Sequence, residues 1–270
     1  MKKPFVFVVV PFKSEIKLLL DMIYSLFQSY TSGLSFTLVL WDDGSQDSEL
    51  DYLYRSIKDN FSQEVLIIKH DNIGYTKQVY DIVDFAKNRD GFDYLLLANS
   101  DIRLGTGSFH AMVSRMNSNA NIAAVGGKII KMGTRMINHT GTTIKDGKIF
   151  DPYCGLDIDD PSTKKVERRL WTNGCCTLYN LDILRKENLN FDLEFTPAYF
   201  EESDLMTRLN MMGYSILYEP RAIIDHVVNA TMGKERDKFE KVFWANWQKY
   251  LDKWSPYFNS PQLYFQNPKG

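Results

Sequence analysis

The chain has 270 residues, of which 44% are hydrophobic and 24% are charged, and its formal net charge is −2. This composition excludes a disordered tail, a collagen-like repeat and a disulfide-stapled mini-protein. A chain of this length buries a large core without covalent cross-links. Because the net charge is close to zero, the chain lacks the overall electrostatic attraction of nucleic-acid binders, and we expect no nucleic-acid partner.

The three cysteines are a poor basis for a disulfide framework. Their number is odd, and Cys175 and Cys176 are adjacent in sequence while Cys154 stands alone. We expect reduced thiols and a cytoplasmic location. No apolar stretch of the sequence reaches the ~20 residues that span a bilayer, so we expect membrane contact, if any, to be peripheral and at the inner face of the membrane.

Strands and helices alternate in the first part of the chain. Continuous β-branched and aromatic runs, each ended by a polar turn, predict strands that are buried on both faces. Apolar residues at helical spacing predict the helices, the first of them with Ser14 as its N-cap. The predicted strands are 5–10, 36–41, 65–69 and 94–98, and the predicted helices lie near 16–27, 50–57 and 75–87. This alternation is typical of an α/β fold with a mostly parallel, Rossmann-type sheet flanked by helices.

The alternation weakens after residue 101. The later sequence predicts a strand at 122–132, a hairpin through Asp146-Gly147, a helix from Glu201 that ends at Gly213, a strand at 214–218 and an aromatic helix at 234–254. Neither a linker nor an internal repeat separates these segments. We therefore predict one domain over residues 1–230, with a C-terminal helix and tail, 231–270, packed on the same domain.

Polar residues gather where the predicted strands end. Ligands of open parallel sheets bind outside the carboxyl ends of the strands, so these turns are the first place to look for a site. The turns read Pro11-Phe12-Lys13, Asp42-Asp43-Gly44-Ser45, His70-Asp71-Asn72-Ile73-Gly74 and Asn99-Ser100-Asp101. Asp-Gly is also a common turn pair in its own right. None of the turns contains the glycine-rich fingerprint of a dinucleotide or P-loop site.

Five motifs follow one another along the chain: Val9-Val10-Pro11, Trp41-Asp42-Asp43-Gly44-Ser45, Ala98-Asn99-Ser100-Asp101, Phe200-Glu201-Glu202-Ser203-Asp204-Leu205 and Asp225-His226. In this order they resemble the inverting family 2 glycosyltransferases of the GT-A fold, most closely the rhamnosyltransferase-like branch that builds bacterial surface polysaccharides. The resemblance implies a nucleotide-binding part at about 1–105 and an acceptor part at about 106–230. It also implies metal-dependent transfer of a sugar from a nucleotide diphosphate sugar to a carbohydrate hydroxyl, with UDP expected first and dTDP second.

The resemblance assigns the donor side of the site. Asp43 is implied to read the base, because its carboxylate can accept the N3–H of uracil or thymine. The other nucleotide contacts implied are Pro11, Phe12, Asn72, Gly74, Asn99 and Ser100. Asp101 and His226 are implied to hold Mn²⁺ or Mg²⁺, which neutralises the diphosphate leaving group. The structural alternative for Asp101 is capping of the turn that follows.

The acceptor side carries the general base. The resemblance implies Glu202 in this role, with Asp204 and Glu201 as alternatives. The same acidic residues also suit a helix N-terminus, where each stabilises the macrodipole by roughly 0.3–1 kcal/mol. Trp171, Asn173 and Gly174 are implied to line the sugar and acceptor.

Other candidates have simpler explanations. Cys175 and Cys176 suit small core residues, and His70, His110 and His139 have no support comparable to that of His226. The aromatic stripe at 239–254 suits packing on the core, with an acceptor-side wall, a homodimer interface or a membrane contact as alternatives.

A non-catalytic nucleotide- or glycan-binding module with a decayed site is the alternative function. Asn99 and Glu202 both stand where the family motif has aspartate. A sugar nucleotidyltransferase would need a glycine-rich loop after the first strand, which residues 11–14 lack.

Overall fold

The structure, a computed structural model, describes residues 5–29, 34–61, 65–227 and 236–263. Within these ranges it contains twelve strands: β1 (Phe5–Phe12), β2 (Ser35–Asp43), β3 (Val65–His70), β4 (Tyr94–Ala98), β5 (Ile102–Leu104), β6 (Ile122–Lys131), β7 (Ile137–His139), β8 (Thr143–Lys145), β9 (Lys148–Phe150), β10 (Glu167–Arg168), β11 (Cys176–Asn180) and β12 (Ser215–His226). The same ranges contain seven α-helices: α1 (Ile16–Ser29), α2 (Asp47–Asn60), α3 (Tyr75–Lys87), α4 (Ser108–Met116), α5 (Leu181–Lys186), α6 (Glu201–Met211) and α7 (Arg236–Trp254).

Ten of these strands form one mixed sheet. Its main path runs in the order β10-β12-β6-β11-β4-β1-β2-β3, with β5 paired to β12 and β7 to β6. The pairs β3–β2, β2–β1, β1–β4 and β6–β12 are parallel, whereas β11 runs antiparallel between β4 and β6. The predicted α/β class with a mostly parallel sheet and flanking helices is confirmed.

Strand β1 shows why the sheet is buried on both faces. Its residues alternate between two hydrophobic clusters, with Val6, Val8 and Val10 in one and Phe7 and Val9 in the other. Helices cover both faces, so the strand needs no polar side and its sequence is a continuous apolar run. Full burial of each such side chain contributes about 1.5–3 kcal/mol.

The first helix begins near its predicted start but is capped by a different residue. The carbonyl of Glu15 accepts the first hydrogen bonds of α1, from the backbone N–H groups of Leu18 and Leu19. The prediction that Ser14 is the N-cap of α1 is therefore wrong. Its hydroxyl instead donates to Glu49 Oε2 at 2.9 Å, and its N–H donates to Ser45 Oγ at 2.8 Å. These bonds tie the turn after β1 to the turn after β2, because the ends of neighbouring parallel strands lie side by side.

Several local predictions are confirmed at or near their bounds. The third helix and fourth strand have the predicted limits, and the hairpin β8–β9 turns at Asp146 and Gly147, both with positive φ (52° and 70°). This conformation is the one that Asp-Gly pairs favour in tight hairpins. Helix α6 ends before Gly213, which adopts φ +89° as a helix-terminating glycine does.

The last strand is longer than the sequence predicts. It runs from Ser215 to His226 beside β6, with a register shift between Tyr218 and Ile223. Pro220 lies in this shift, since proline cannot donate to a ladder and interrupts the pairing. The prediction that the strand ends at Tyr218 was therefore wrong, and the strand carries His226 beside Ile102 of the unpredicted β5.

Helix α7 packs its C-terminal half on the core. Tyr250 and Trp254 belong to a core cluster, whereas Trp244 is 57% exposed. Of the C-terminal segment predicted at 231–270, residues 231–235 and 264–270 lie outside the described residues. Among the residues described, no helix has both the length and the apolar character that crossing a bilayer requires.

Candidate active site

The turn after β2 holds Asp43 in a mostly buried position. Its Oδ1 accepts a hydrogen bond from the backbone N–H of Ile73 at 3.1 Å, which joins it to the turn after β3. Burial raises the pKa of Asp43, and the Ile73 N–H and the charge of Lys13 partly oppose that rise. Its neighbour Asp42 serves the turn itself, because Asp42 Oδ1 accepts from the N–H of Ser45 at 3.0 Å.

The two nucleotide-contacting residues predicted at the end of β1, Pro11 and Phe12, are both buried. Phe12 pairs in register with Asp42, but its ring is 3% exposed and belongs to the hydrophobic core. Pro11 pairs with Trp41 and is also buried. The structure therefore places the Phe12 ring as packing beneath the turn, where it has little surface for a nucleotide contact.

The turn after β3 packs closely on the turn after β2. Asn72 is exposed, and its side-chain oxygen accepts from the N–H of Gly74 at 3.2 Å. A Cβ atom on Gly44 would lie 3.2 Å from the backbone nitrogen of Asn72. Gly74 has φ +83° and precedes α3, so glycine is required there by conformation.

Asp101 and His226 meet at the edge of the sheet. Asp101 Oδ1 lies 3.4 Å from His226 Nε2, and both side chains are mostly buried. The pairing of β5 with β12 brings them together, and the N–H of Val227 donates to the Asp101 carbonyl. Neither Asp101 Oδ1 nor His226 Nδ1 has a hydrogen-bond partner among the described residues.

This donor set fits a hard divalent cation with two protein ligands. Mg²⁺ in phosphate-processing sites is commonly held by one or two carboxylates together with substrate phosphates and water, and imidazole is a further ligand for such metals. Buried polar atoms without partners normally have a ligand, ion or water to satisfy them. Within the described ranges no three His, Cys, Asp or Glu side chains are grouped as a metal site.

Asn99 is linked to the start of α6 through Tyr75. The phenol of Tyr75 donates to Asn99 Oδ1 at 3.2 Å, and the Asn99 N–H donates to the Cys175 carbonyl at 2.8 Å. Burial raises the pKa of Tyr75 well above its usual value, and the charges of Glu201 and Glu202 raise it further. Ser100 lies half-buried next to Asn99.

Glu202 lines a pocket of about 340 Å³ at the start of α6. Burial raises the pKa of its carboxyl, while the N–H groups at the helix start partly oppose the rise. Gly174 lies against it, since a Cβ there would be 3.0 Å from Glu202 Cγ and Cδ. The pocket is lined by His139, Thr142, Ile149, Phe150, Asp151, Trp171, Tyr199, Phe200, Glu202, Ser203, Phe243 and Trp247.

The two alternative bases do not line this pocket. Glu201 is 2% exposed and accepts a hydrogen bond from the hydroxyl of Thr76 beneath the helix. Asp204 is fully buried, with Oδ2 bonded to Arg208 and Oδ1 to Trp254 and Lys253. Their carboxylates are therefore committed to contacts inside the protein, and the geometry favours Glu202.

Trp171, Asn173 and Gly174 have different positions relative to the pocket. Trp171 is 7% exposed and packs edge-to-face on Tyr250, with ring centroids 5.0 Å apart. Asn173 Oδ1 accepts from the N–H of Cys175 at 2.9 Å and so shapes the turn. Gly174 has no side chain and so leaves space for the side chain of Glu202. Of the three, Trp171 alone belongs to the pocket lining.

Cys175 lies close to both parts of the site. The three cysteines are free thiols, as predicted. The pKa of Cys175 is raised well above its usual value, first by burial and then by Cys176, Asp101 and Glu202. The carbonyl of Cys175 accepts from the N–H of Asn99, two residues before Asp101, and its neighbour Gly174 lies against Glu202, so the two parts of the site are linked through this segment.

Sequence reasoning missed the polar side of the pocket. His139 was set aside, and Thr142 and Asp151 were not considered. In the structure Asp151 Oδ1 accepts from the Thr142 hydroxyl at 2.7 Å and lies 3.2 Å from His139 Nε2. The sequence signal for their proximity was the short hairpin that separates them. This signal is not specific, because His and Asp near a turn are common in any protein.

A mostly parallel α/β sheet with its polar side chains at one edge is the architecture of the GT-A glycosyltransferases. A family-model match to the sequence supports the same class. The chain belongs to glycosyl transferase family 2, whose family model matches residues 7–173. No curated protein matches the sequence at a significant level.

Solved structures share the fold at low identity. The structure of GalNAc-T7 with UDP, GalNAc and Mn²⁺ matches with a TM-score of 0.69 at 13% identity, over 96% of this chain and 56% of that one. The mannosyltransferase PcManGT from Pyrobaculum calidifontis, in complex with GDP-Man and Mn²⁺, gives 0.63 at 13% identity, over 97% and 72%. S. aureus TarS gives 0.54 at 14% identity, over 88% and 63%. This chain thus spans just over half the length of GalNAc-T7.

Proposed function

We propose that the protein is a metal-dependent, inverting glycosyltransferase that moves one sugar from a nucleotide diphosphate sugar to a carbohydrate hydroxyl. The observation that supports this most is that Glu202 lines a pocket and lies against Gly174, while the next residue, Cys175, is hydrogen-bonded to Asn99 in the turn that leads to the Asp101–His226 pair. The sequence resemblance supports a role in bacterial surface polysaccharide or glycoconjugate synthesis.

Glu202 acts as the general base. Its carboxylate accepts the proton of the acceptor hydroxyl while the oxygen forms a bond to the anomeric carbon of the donor sugar. The bond from that carbon to the diphosphate oxygen breaks, and its electron pair leaves with the diphosphate. Attack from the face opposite the leaving group inverts the configuration. The raised pKa of Glu202 brings the base closer to neutral pH, where general bases work best.

Asp101 and His226 hold the divalent cation, Mn²⁺ or Mg²⁺. When bound, the metal neutralises charge on the departing diphosphate. Asp43 accepts the N3–H of the base, supported by its fixed position between the turns after β2 and β3. This contact favours uracil or thymine, so UDP is the first donor nucleotide and dTDP the second.

Thermal unfolding with nucleotides tests the donor side. The midpoint is measured with UDP, dTDP, GDP and CMP, each with Mn²⁺ or with EDTA. At a concentration of 100 Kd a ligand stabilises the native state by about 2.7 kcal/mol, which is a rise of roughly 5–10 °C for a domain of this size. We expect this rise with UDP or dTDP and Mn²⁺, and its loss in Asp101→Ala.

Glu202→Gln separates catalysis from binding. We expect it to keep the nucleotide response and to lower turnover, measured as nucleotide release, by roughly 10²–10⁴-fold. Unchanged turnover in Glu202→Gln would contradict the assigned base. An absent nucleotide response in the wild-type protein would contradict the proposed function as a whole, and a response to GDP alone would contradict the assigned base specificity.

A further inference from the structure

The pocket in front of Glu202 has an aromatic side and a polar side. The aromatic side consists of Trp171, Tyr199, Phe200, Phe243 and Trp247. The polar side consists of His139 at the end of β7, Thr142 just before β8 and Asp151 just after β9. A pocket of about 340 Å³ with this division suits a pyranoside, which has an apolar C–H face and polar hydroxyl edges.

The contacts of Asp151 leave one of its oxygens for a ligand. The Thr142 hydroxyl donates to Oδ1 at 2.7 Å, and His139 Nε2 lies 3.2 Å from the same oxygen. The N–H of Gly141 donates to His139 Nδ1 at 2.8 Å, so the proton of the neutral ring is on Nε2 and faces Asp151. No contact to Oδ2 is found in the described part of the chain.

Arg169 supports the turn that follows His139. Arg169 is buried, and its Nε donates to the Thr140 carbonyl at 3.0 Å. A Cβ on Gly141 would lie 2.6 Å from Arg169 Cγ, so the loop and the arginine are in close contact. Burial acts to raise the pKa of Asp151, but the hydrogen bonds from His139 and Thr142 outweigh it and the pKa is lowered. The side chain is therefore a fixed carboxylate at neutral pH.

We propose that Asp151 orients the acceptor and that the acceptor unit in this pocket is an uncharged pyranoside. Asp151 Oδ2 accepts a hydrogen bond from one acceptor hydroxyl, while Glu202 deprotonates a different one. This inference rests on the proposed function and adds the acceptor class and a specificity residue to it. Among the described residues neither lysine nor arginine lines the pocket, whereas two carboxyl groups do. A saccharide with its own carboxylate would meet like charge there.

Tryptophan fluorescence provides a direct test, because Trp171 and Trp247 line the pocket. The protein with UDP and Mn²⁺ is titrated with matched methyl glycosides: β-glucoside against β-glucuronide, and α-galactoside against α-galacturonide, together with the α-rhamnoside and α-mannoside. We expect a saturable change with at least one neutral glycoside. Where the binding glycoside has a uronide partner, that partner should bind at least tenfold more weakly.

Asp151→Asn and Asp146→Asn form a matched pair of variants. Asp146 lies in the turn of the β8–β9 hairpin and Asp151 directly follows β9, but Asp146 is exposed and outside the pocket lining. Loss of a hydrogen bond to a charged group predicts roughly tenfold or greater weakening of glycoside binding in Asp151→Asn. Asp146→Asn should bind as the wild type does.

The outcomes separate this inference from the proposed function. Glycoside binding that is unchanged in Asp151→Asn, or equal for glucoside and glucuronide, overturns it, as does a panel without any response while the UDP and Mn²⁺ thermal shift persists. Loss of that thermal shift in the wild type counts against the proposed function instead. If Asp151→Asn also unfolds at lower temperature, Thr142→Val removes the hydroxyl that fixes Oδ1, and it must weaken glycoside binding too.

Discussion

Two adjacent glutamates at the start of α6 have different environments because of helix geometry. Successive residues of an α-helix point about 100° apart, so Glu201 and Glu202 cannot share a face. Glu201 points beneath the helix to Thr76, whereas Glu202 lines the pocket. The motif alone left the choice of base open, and the orientation of one helix turn favours Glu202.

Gly174 is the residue that gives Glu202 its position. In Gly174→Ala the added Cβ would lie 3.0 Å from Cγ and Cδ of Glu202 and would displace the carboxyl. Because a displacement of about 1 Å can cost 10²-fold in rate, we expect turnover to fall by roughly 10- to 100-fold with the nucleotide-induced thermal shift retained.

A double-mutant cycle with Glu202→Asp serves as the control. The shorter side chain relieves the crowding, so Gly174→Ala should lower turnover less in the Glu202→Asp background than in the wild type. Equal effects in both backgrounds would show that the contact with Glu202 is not the cause.

At the level of elements, α6 and α7 are joined through Asp204. Its buried carboxylate binds Arg208 of the same helix, while Trp254 Nε1 and Lys253 Nζ of α7 each lie 2.8 Å from Oδ1. The hydroxyls of Thr207 and Tyr250 add a bond of 2.7 Å between the two helices. Helix α7 also carries Phe243 and Trp247, so this junction holds the aromatic side of the pocket in place.

Asp204→Asn is expected to destabilise the protein without removing the base. Loss of the Asp204 negative charge leaves the positive charges of Arg208 and Lys253 without a full counter-charge. We therefore expect the free energy of unfolding, measured with urea, to decrease by about 3 kcal/mol. Asp252→Asn, on the exposed side of α7, should change it by less than about 0.5 kcal/mol. Turnover of folded Asp204→Asn that falls as far as in Glu202→Gln would instead favour Asp204 as the base.

For the whole molecule, Glu201 makes stability depend on pH. Burial, and then the charge of Glu202, raise the pKa of Glu201 well above its ordinary value of 4.5. The folded state therefore keeps a proton that the unfolded state releases above about pH 4.5. The stability from this group is complete below that pH and is lost as the pH rises through the raised pKa.

Glu201→Gln should remove this pH dependence. Glutamine keeps an acceptor for the Thr76 hydroxyl but carries no charge, so the variant should be more stable than the wild type at pH 8, with the difference shrinking towards pH 5. Each kcal/mol gained raises the thermal midpoint by about 2–4 °C. Thermal midpoints across pH 5–8 check this, and turnover at pH 7 should persist. A variant that is less stable than the wild type at pH 8 would contradict it.

The sequence by itself determined the elements whose signals are local. Apolar runs such as 5–10 predict strands, helical spacing predicts helices such as α3, and Asp146-Gly147 predicts the hairpin turn, because these choices depend on backbone conformation and side-chain period. The order of the carboxylate motifs also led to the family, to the pair Asp101 and His226 and to Glu202.

Only the tertiary structure decided which of the candidate residues meet. Phe12 lies in the core although its motif suggested a ligand contact, and β12 continues past Pro220 to place His226. The pocket joins residues from 139–151, 171, 199–203 and 243–247, segments that are distant in the chain and share no local pattern. His139 and Asp151 were missed for this reason, since long-range packing, and no periodicity or turn signal, brings them to face Glu202.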